Sequence, residues 1–533
     1  MMVQEQYLNK EIFMKKIIAL ILAVCFLGLA LAACGTTEEK PTETKATTTE
    51  KATNIYGDEV LDSVVDFKTL DFEGENINIL VREDLKVSRE WESEVIDDDD
   101  ELEMAIAARN DVVEGDLNVN VTIQLIGDKE HGTFESVFLP AVQQDIVNGL
   151  HEIDVAANFG YSGMTATYMD FWCNLLDKDT FPYFEFDLPC WNQAIYKNGT
   201  VNGQLYLCAG DLNISMFDSA MIMWHNKDLY EEIRKPEDPE DIQDWVISGD
   251  WTYANLYKFS SYYADEDPVG NTGDIYALKL NGAKWPTQPL DAIPYAWQFN
   301  MVTTNNDGTH AYNIIGNTRA EEGLKMMRNL YLQDGVATEI TGCGSFESGV
   351  LLFVGSTIYW DKASNLAIRN MEDKYSIVPW PKYDETQDHY ATTSQDYFTA
   401  MSILDHSESD TPIKGEAISA YLEYATEYSY TDVRGYYFKR IIEPKFFGTD
   451  DSDGHVTKSI AIFNTIVDNL EYNFITIYRP MLNGVMSKVW RYNVIDEAGK
   501  PLSTTVASAF QKDITTYEES IKALDTWLGV IVE

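Results

Sequence analysis

Apolar and polar residues alternate in two regular ways along the first third of this 533-residue chain. Stretches with a period of two, such as residues 119–126, predict strands, and stretches with apolar residues three or four apart predict helices. These elements follow in the order strand, helix, strand, helix, strand, at residues 76–81, 101–113, 119–126, 134–150 and 153–159. This order predicts a parallel sheet covered by helices. Ligands of such sheets bind beyond the carboxyl ends of the strands, where Tyr161 follows the third strand.

A second set of strands and helices predicts a second α/β lobe. Its strands are predicted near 220–225, 349–360 and 375–380, and its helices near 251–263 and 323–332. The last third of the chain has mainly helical spacing, with apolar residues on one face from Ile418 onward. Thr516 and Glu519 have the spacing of a capping box, which predicts the start of the last helix. The predicted fold class is α/β.

The stretch from Met14 to Cys34 has the layout of a secretory signal peptide: two lysines, an apolar run, then small residues. The apolar run, residues 17–32, is shorter than a comfortable membrane span. It ends in Leu-Ala-Ala-Cys34, which resembles the bacterial lipobox, whose cysteine is lipidated after cleavage. We predict that residues 1–33 are a signal peptide, with Met14 as the true start, and that Cys34 carries lipid at the extracytoplasmic face of the membrane. The alternatives are an uncleaved anchor and a plain signal peptide with a chance cysteine.

Residues 34–72 are predicted to form a flexible tether. Gly35–Asn54 is rich in Thr, Glu and Lys and has almost no apolar side chains, so it cannot bury enough surface to fold. The tether would hold the folded part clear of the membrane.

Charge and cysteine content narrow the possible ligands. The chain has 87 acidic and 39 basic residues, a net charge of −48, which makes nucleic acid a poor partner. With 12 Trp and 31 Tyr, a neutral, hydroxyl-rich ligand fits better than an anionic one. Cys173, Cys190, Cys208 and Cys343 form no CxxC pair, so a zinc site is not expected. Disulfides and buried free thiols both remain open.

The common catalytic motifs are missing from the sequence. It has no HExxH, no GxSxG and no glycine-rich phosphate loop. Paired carboxylates of a surface glycoside hydrolase remain an alternative, although the abundance of acids makes any chosen pair uninformative.

Aromatic residues beside acids near predicted loops are the main candidates for ligand contacts. Aromatic faces bind the C–H faces of sugar rings, and carboxylates or amides bind the hydroxyls. A single Trp is also often a core residue. The candidate ligand-binding residues are Tyr161, Asp211, Trp285, Trp297, Trp360, Asp361, Asp396 and Tyr397.

Several segments together resemble the extracellular solute-binding proteins of bacterial ABC transporters, in the carbohydrate-binding group called family 1. The resemblance runs from about residue 75 to the end and is carried by an ordered set of short segments: IDVAA at 153–157, FDLPCWNQ at 186–193, NGQLYL at 202–207, AGD at 209–211, WHNKDL at 224–229, GDWT at 249–252 and YSIVPWPKYD at 375–384. It is closest to long lipoprotein members from Gram-positive bacteria. Relatives often carry Trp-Trp where Cys190-Trp191 stands.

The resemblance implies a two-lobed, periplasmic-binding-protein-like fold of type II with a cleft between the lobes. Lobe 1 would comprise residues 73–205 and about 385–430, lobe 2 residues 220–375 and part of 431–533, with hinges near 206–219 and 378–384. It also implies binding without catalysis and delivery of a small-molecule ligand, an oligosaccharide, to ABC permease subunits. We expect no cofactor, no metal and a monomer. A peptide or another solute remains an alternative ligand.

Overall fold

The computed structural model describes most of the chain from residue 61 onward. The described residues are 53, 61, 63–83, 89–92, 101–127, 137–160, 164, 170–264, 274–280, 290–338, 344–358, 367–395, 397–406, 411–448, 451–452, 454–496 and 500–531. Residues 52–533 form one compact unit by their internal contacts.

The strands, in chain order, are β1 (Glu75–Arg82), β2 (Val119–Ile126), β3 (Val155–Phe159), β4 (Met221–Asn226), β5 (Tyr263–Ala264), β6 (Ile275–Leu280), β7 (Val302–Thr304), β8 (His310–Tyr312), β9 (Val336–Thr338), β10 (Leu351–Thr357), β11 (Tyr375–Val378) and β12 (Thr399–Ile403). The α-helices are α1 (Glu101–Leu117), α2 (Leu139–Asn148), α3 (Gln193–Gly199), α4 (Ser215–Asp218), α5 (Lys227–Ile233), α6 (Ile242–Ser248), α7 (Tyr253–Phe259), α8 (Ile293–Ala296), α9 (Thr318–Leu330), α10 (Pro412–Tyr428), α11 (Arg434–Tyr436), α12 (His455–Asp468), α13 (Phe474–Ile477), α14 (Tyr492–Val494), α15 (Val506–Lys512) and α16 (Ile514–Trp527).

The first sheet has the order β12-β3-β1-β2. β1 pairs in parallel with β2 and β3, which confirms the predicted strand-helix alternation, and β12 returns late in the chain to pair antiparallel with β3. Successive side chains of β1 enter different apolar clusters, Ile79 on one face and Leu80 on the other, because side chains alternate across a strand. Asp154, just before β3, has a structural role: its carboxylate accepts the Asn78 amide at 2.7 Å and pairs with Lys414 at 2.9 Å.

The second sheet has the order β11-β4-β10-β6-β5, and β9 also pairs with β6. β6, β9 and β10 run in parallel, whereas β4 is antiparallel to both of its neighbours, β10 and β11. All six residues of β4 are buried. Burial on both faces explains why β4, at Met-Ile-Met-Trp, shows a continuous apolar run rather than alternation.

Two connections join the sheets and lie side by side. The chain leaves the first sheet after Cys208, which bridges to β12, and enters β4 at Met221; it returns between β11 and β12. The two connections pair where Ala220 faces Ser394 and where the Gln395 amide donates to the Ser219 carbonyl at 2.8 Å. The predicted hinge at 206–219 lies in the first connection. The predicted hinge at 378–384 lies at the start of the second connection, before the residues that pair with the first connection.

The packed chain begins earlier than the predicted end of the tether at residue 72. Phe67 and Phe72 are buried, and the Phe67 ring stacks on Tyr424 of α10 with the ring centroids 4.7 Å apart. Aromatic rings supply enough buried apolar surface to fix a short segment. The residues around them therefore belong to the folded body.

The C-terminal third is helical, as predicted, but its details differ. The capping box predicted at Thr516 is wrong, since α16 begins at Ile514 and the capping box lies at Thr505 and Ser508, at the start of α15. Three π-helical turns, at residues 429–433, 437–447 and 487–491, interrupt the 3.6-residue period. They change which side chains share a face.

Candidate functional site

The carboxyl ends of strands from both sheets meet at the two paired connections. On the first sheet, β3 ends at Phe159, and the next amide, Gly160, donates to the Phe398 carbonyl at 2.9 Å. On the second sheet, β10 ends beside β4, and the Ile358 amide donates to the Ala220 carbonyl at 3.2 Å. Ligands of α/β sheets bind at such carboxyl edges, so we take this junction as the candidate site.

Arg82, the last residue of β1, lies across the carboxyl edge of the first sheet. Its guanidinium carbon is 3.5 Å from the Phe159 ring centroid and 5.2 Å from that of Tyr397. Its Nη2 donates to the Tyr397 carbonyl at 2.9 Å. The Phe159 and Tyr397 rings meet edge to face at 5.9 Å. The carboxyl edge of the first sheet thus carries two aromatic rings, Phe159 and Tyr397, beside the Arg82 guanidinium. Cation–π attraction stabilises this arrangement.

A second arginine links this edge to the first connection and to the C-terminal helices. Arg89 forms an ion pair with Asp218 of α4, and Asp218 also accepts the Tyr437 hydroxyl. Burial, together with the Asp218 charge, raises the pKa of Tyr437. The pairing satisfies a carboxylate that is 1% exposed and would otherwise be costly to bury.

Glu90 lies beneath the junction and is fully buried. Its carboxyl group accepts the Ser215 amide at 2.9 Å and the Ser215 hydroxyl at 3.1 Å, and the same hydroxyl accepts the Thr399 amide at 3.0 Å. Burial raises the pKa of Glu90 to about 7. Glu90 therefore joins the loop after β1, the start of α4 and the start of β12.

Asp211, a predicted ligand residue, lies in the first connection and faces a third arginine. Its Oδ2 is 3.0 Å from Nη1 of Arg434, whose guanidinium carbon lies 4.0 Å from the Tyr430 ring centroid. Asp211 is 3% exposed. In this conformation its carboxylate serves the ion pair, and its role toward a ligand stays a prediction.

The other predicted residues fall into two groups. Trp297 is fully buried; its Nε1 donates to the Pro381 carbonyl at 3.0 Å, and its ring packs edge-on against Tyr253 and Tyr383. Trp297 therefore has the surroundings of a core residue. Tyr397 lies at the carboxyl edge, next to Arg82. The remaining predicted positions lie outside the described residues: Cys34, Tyr161, Trp285, Trp360, Asp361 and Asp396.

Most of those positions nevertheless have a defined place along the chain. Tyr161 follows β3, Trp285 follows β6, and Trp360 and Asp361 follow β10, each after the carboxyl end of a parallel strand. Asp396 directly precedes Tyr397. The role of these positions toward a ligand stays a prediction, and the sequence patterns did not select Arg82, Arg89, Glu90 or Arg434. These residues are far from their partners in sequence, and no local pattern marks them.

Two other features of the described residues bear on function. Within the ranges given above, no group of His, Cys, Asp and Glu side chains is arranged to hold a metal ion. In the same ranges, no helix has both the length and the apolar composition that a bilayer crossing requires.

A cavity of about 390 Å³ lies away from the junction, between β8 and α16. Tyr312, Phe510, Ile514 and Ile521 form its apolar walls, with Lys522 at its rim. Its lining comes from the β7–β8 hairpin and the C-terminal helices, and not from the carboxyl edge of either large sheet. The junction is therefore the better candidate for the main site.

Known proteins resemble this chain in fold and not in sequence. No protein-family model matches the sequence, and no curated protein matches it. The sugar-binding protein MalE from the phytopathogen Xanthomonas citri matches with a TM-score of 0.52 at 13% identity, over 86% of this chain and 100% of that one. The lacto-N-biose complex of the galacto-N-biose-/lacto-N-biose I-binding protein from Bifidobacterium longum matches with a TM-score of 0.48 at 12% identity, over 86% and 99%. The GacH receptor of Streptomyces glaucescens matches with a TM-score of 0.48 at 10% identity, over 84% and 99%.

The match to MalE defines the class of fold. The chain shares the two-lobed, periplasmic-binding-protein-like fold of MalE, which is the fold that the resemblance of its sequence segments implied. The two sheets and their paired connections are the described elements that correspond to such a fold.

Proposed function

We propose that the protein is a lipid-anchored solute-binding protein that captures a sugar or oligosaccharide outside the cytoplasmic membrane and delivers it to an ABC importer. Its activity is binding rather than bond cleavage. It works as a monomer, and its partners are the ligand and the membrane-spanning permease subunits.

The single observation that carries this proposal is the meeting of two carboxyl edges at a pair of connections. Gly160 after β3 and Ile358 after β10 each bond to one of the two connections. A rotation about two short connections opens or closes the space between two lobes with little change inside either lobe. Such a site is suited to enclosing a small solute and releasing it.

The chemistry of the junction supports a sugar as the solute. Phe159 and Tyr397 place aromatic rings at the carboxyl edge of the first sheet, and the faces of such rings suit the C–H groups of a sugar. The net charge of −48 favours an uncharged ligand. The protein with the matching fold, MalE of Xanthomonas citri, is described as sugar-binding.

The sequence from Met14 to Cys34 supports the proposed location. A lipidated Cys34 would keep the protein at the outer face of the cytoplasmic membrane, near its permease. A single lipid chain gives weak anchoring and two chains give stable anchoring. Labelling with a radioactive fatty acid, in cells that express the wild type or Cys34→Ser, tests the anchor: we expect label and membrane association only with Cys34.

A calorimetric screen tests the ligand class. We expect one member of a panel of glucose, galactose, xylose, maltose, cellobiose, lactose and xylobiose, or a longer oligomer of one of them, to bind the wild-type protein. Tyr397→Ala should weaken that binding by about tenfold, because one aromatic contact is lost. Release of reducing ends from the same sugars would instead favour the hydrolase alternative. No binding by any sugar or oligomer would contradict the sugar assignment.

A further inference from the structure

We propose that Arg82 is the positioning residue of the ligand site, because its guanidinium fixes Tyr397 at the carboxyl edge of the first sheet. The inference rests on the proposed function in one respect, that Tyr397 contacts the ligand. Arg82 itself is 5% exposed, so it acts through its neighbours rather than by touching the solute.

The backbone at the end of β12 shows where Arg82 acts. The ladder between β3 and β12 ends with the pair Phe159 and Thr399, and one more bond follows, from the Gly160 amide to the Phe398 carbonyl. The Tyr397 carbonyl lies one residue beyond that bond. Buried carbonyls need a hydrogen-bond donor, and Nη2 of Arg82 supplies it at 2.9 Å from the end of β1, two strands away.

Gly160 fixes Phe398, the residue after Tyr397, by allowing close packing rather than by donating from a side chain. A Cβ atom at Gly160 would lie only 2.1 Å from the Phe398 ring, so the ring rests on the glycine backbone. The Phe398 ring also packs against Tyr472, with centroids 5.2 Å apart. Phe398 is thereby held in the core, while the Tyr397 ring turns to Phe159 and Arg82. The side chains of Tyr397 and Phe398 are therefore both fixed, on opposite courses from the same short segment.

The contacts of Arg82 require an arginine. A planar guanidinium can stack on an aromatic ring and donate hydrogen bonds in its own plane at the same time, which an ammonium group cannot do. Arg82 does both, with its plane near the Phe159 ring and Nη2 on the Tyr397 carbonyl. Arg82→Lys is therefore expected to behave more like Arg82→Met than like the wild type.

The first test needs no ligand. Hydrogen exchange is measured by NMR in the unliganded full chain for the wild type, Arg82→Met and Arg328→Met. Arg328 is a matched control, since it also donates to backbone carbonyls, those of Asn493 and Thr504. We expect the Gly160 amide to exchange about tenfold faster in Arg82→Met only, because the Phe398 carbonyl to which it donates is released. The Ile79 amide, in the middle of β1, should be unchanged.

The second test is a double-mutant cycle in ligand affinity, using the panel sugar that binds the wild type most tightly. We expect Arg82→Met to weaken binding about tenfold in the wild-type background and to have no further effect in Tyr397→Ala, because residues that act through one another are not additive. Arg328→Met should leave affinity unchanged. Equal losses in both backgrounds would show a general structural role and overturn the proposal.

The two tests separate this proposal from the proposed function. A wild-type exchange rate of the Gly160 amide in Arg82→Met would overturn the positioning role whether or not a sugar binds. Absence of any sugar binding by the wild type would contradict the proposed function, and the exchange rates alone would then decide whether Arg82 fixes Tyr397.

Discussion

Several carboxyl groups are buried in the first lobe without a full set of partners, and Glu423 is the clearest case. Its Oε2 accepts the Glu185 amide and the Trp191 indole N–H, both at 2.9 Å, while Oε1 is buried without a hydrogen bond. Burial, with added repulsion from Glu427, raises the pKa of Glu423 to about 8. The carboxyl is therefore protonated in the folded protein at neutral pH.

This environment predicts a specific dependence of stability on pH. The pKa of Glu423 is higher in the folded protein than its ordinary value of 4.5, so the folded state binds the proton more tightly. The stability contributed in this way is fully present below pH 4.5 and is lost as pH rises toward 8. Between pH 5 and pH 8, the wild type should lose about 2 kcal/mol or more of its free energy of unfolding through Glu423. In Glu423→Gln this loss should be absent.

Urea unfolding of the wild type and Glu423→Gln at pH 5 and pH 8 checks this prediction. An amide oxygen can still accept both hydrogen bonds, so the variant should fold. Glu519→Gln, on the exposed face of α16, is the control and should follow the wild type. A pH dependence that is the same in all three proteins would show that Glu423 does not titrate in this range.

At the scale of elements, the local patterns predicted the strands and helices well where one face is buried. β1, β2 and β3 lie within a few residues of their predicted ranges, because each strand or covering helix has its own period. The start of α16 was mispredicted because a side-chain spacing alone does not show which residue adopts the cap conformation. The π-helical turns that carry Tyr430 and Tyr437 have no recognised sequence signal here.

The candidate site was less predictable than the elements. Tyr397 was selected because an acid and an aromatic stand together near a loop. Arg82 was missed because its partner, Tyr397, is 315 residues away in the chain. Contacts of that kind depend on the return of β12 to the first sheet. The sequence resemblance implied such a return, without identifying the side chains that meet there.

Two helical glycines give a prediction at the same scale, since one is free of neighbours and one is tightly packed. A Cβ at Gly115, in α1, would meet nothing within 4 Å, whereas a Cβ at Gly415, in α10, would lie 2.6 Å from the Thr180 carbonyl oxygen. Gly115→Ala should stabilise the protein by about 0.5–1 kcal/mol through helix propensity. Gly415→Ala should destabilise it by about 1–3 kcal/mol through overpacking.

Thermal or urea unfolding of both variants at one pH measures the difference. Because the two substitutions are chemically identical, the packing around α10 is the main difference between them. Gly415→Ala as stable as Gly115→Ala would mean that α10 does not approach residue 180 as closely as the structure shows.

At the scale of the whole molecule, the central feature is the pair of connections between two sheets. Two residues of the first connection bond to residues near the carboxyl edge of the first sheet. Ser215 bonds to both Glu90 and Thr399, and Asp218 bonds to both Arg89 and Tyr437. A change in the angle between the lobes must therefore alter the surroundings of these polar groups. Ligand binding and lobe movement are expected to be coupled through them.

Small-angle X-ray scattering of the protein from residue 35 onward, with and without a saturating sugar from the calorimetric screen, tests this account most directly. We predict that the radius of gyration falls when the sugar is bound and that a panel sugar that does not bind leaves it unchanged. A sugar that binds tightly while the radius of gyration stays the same would contradict ligand capture by closure of the two lobes.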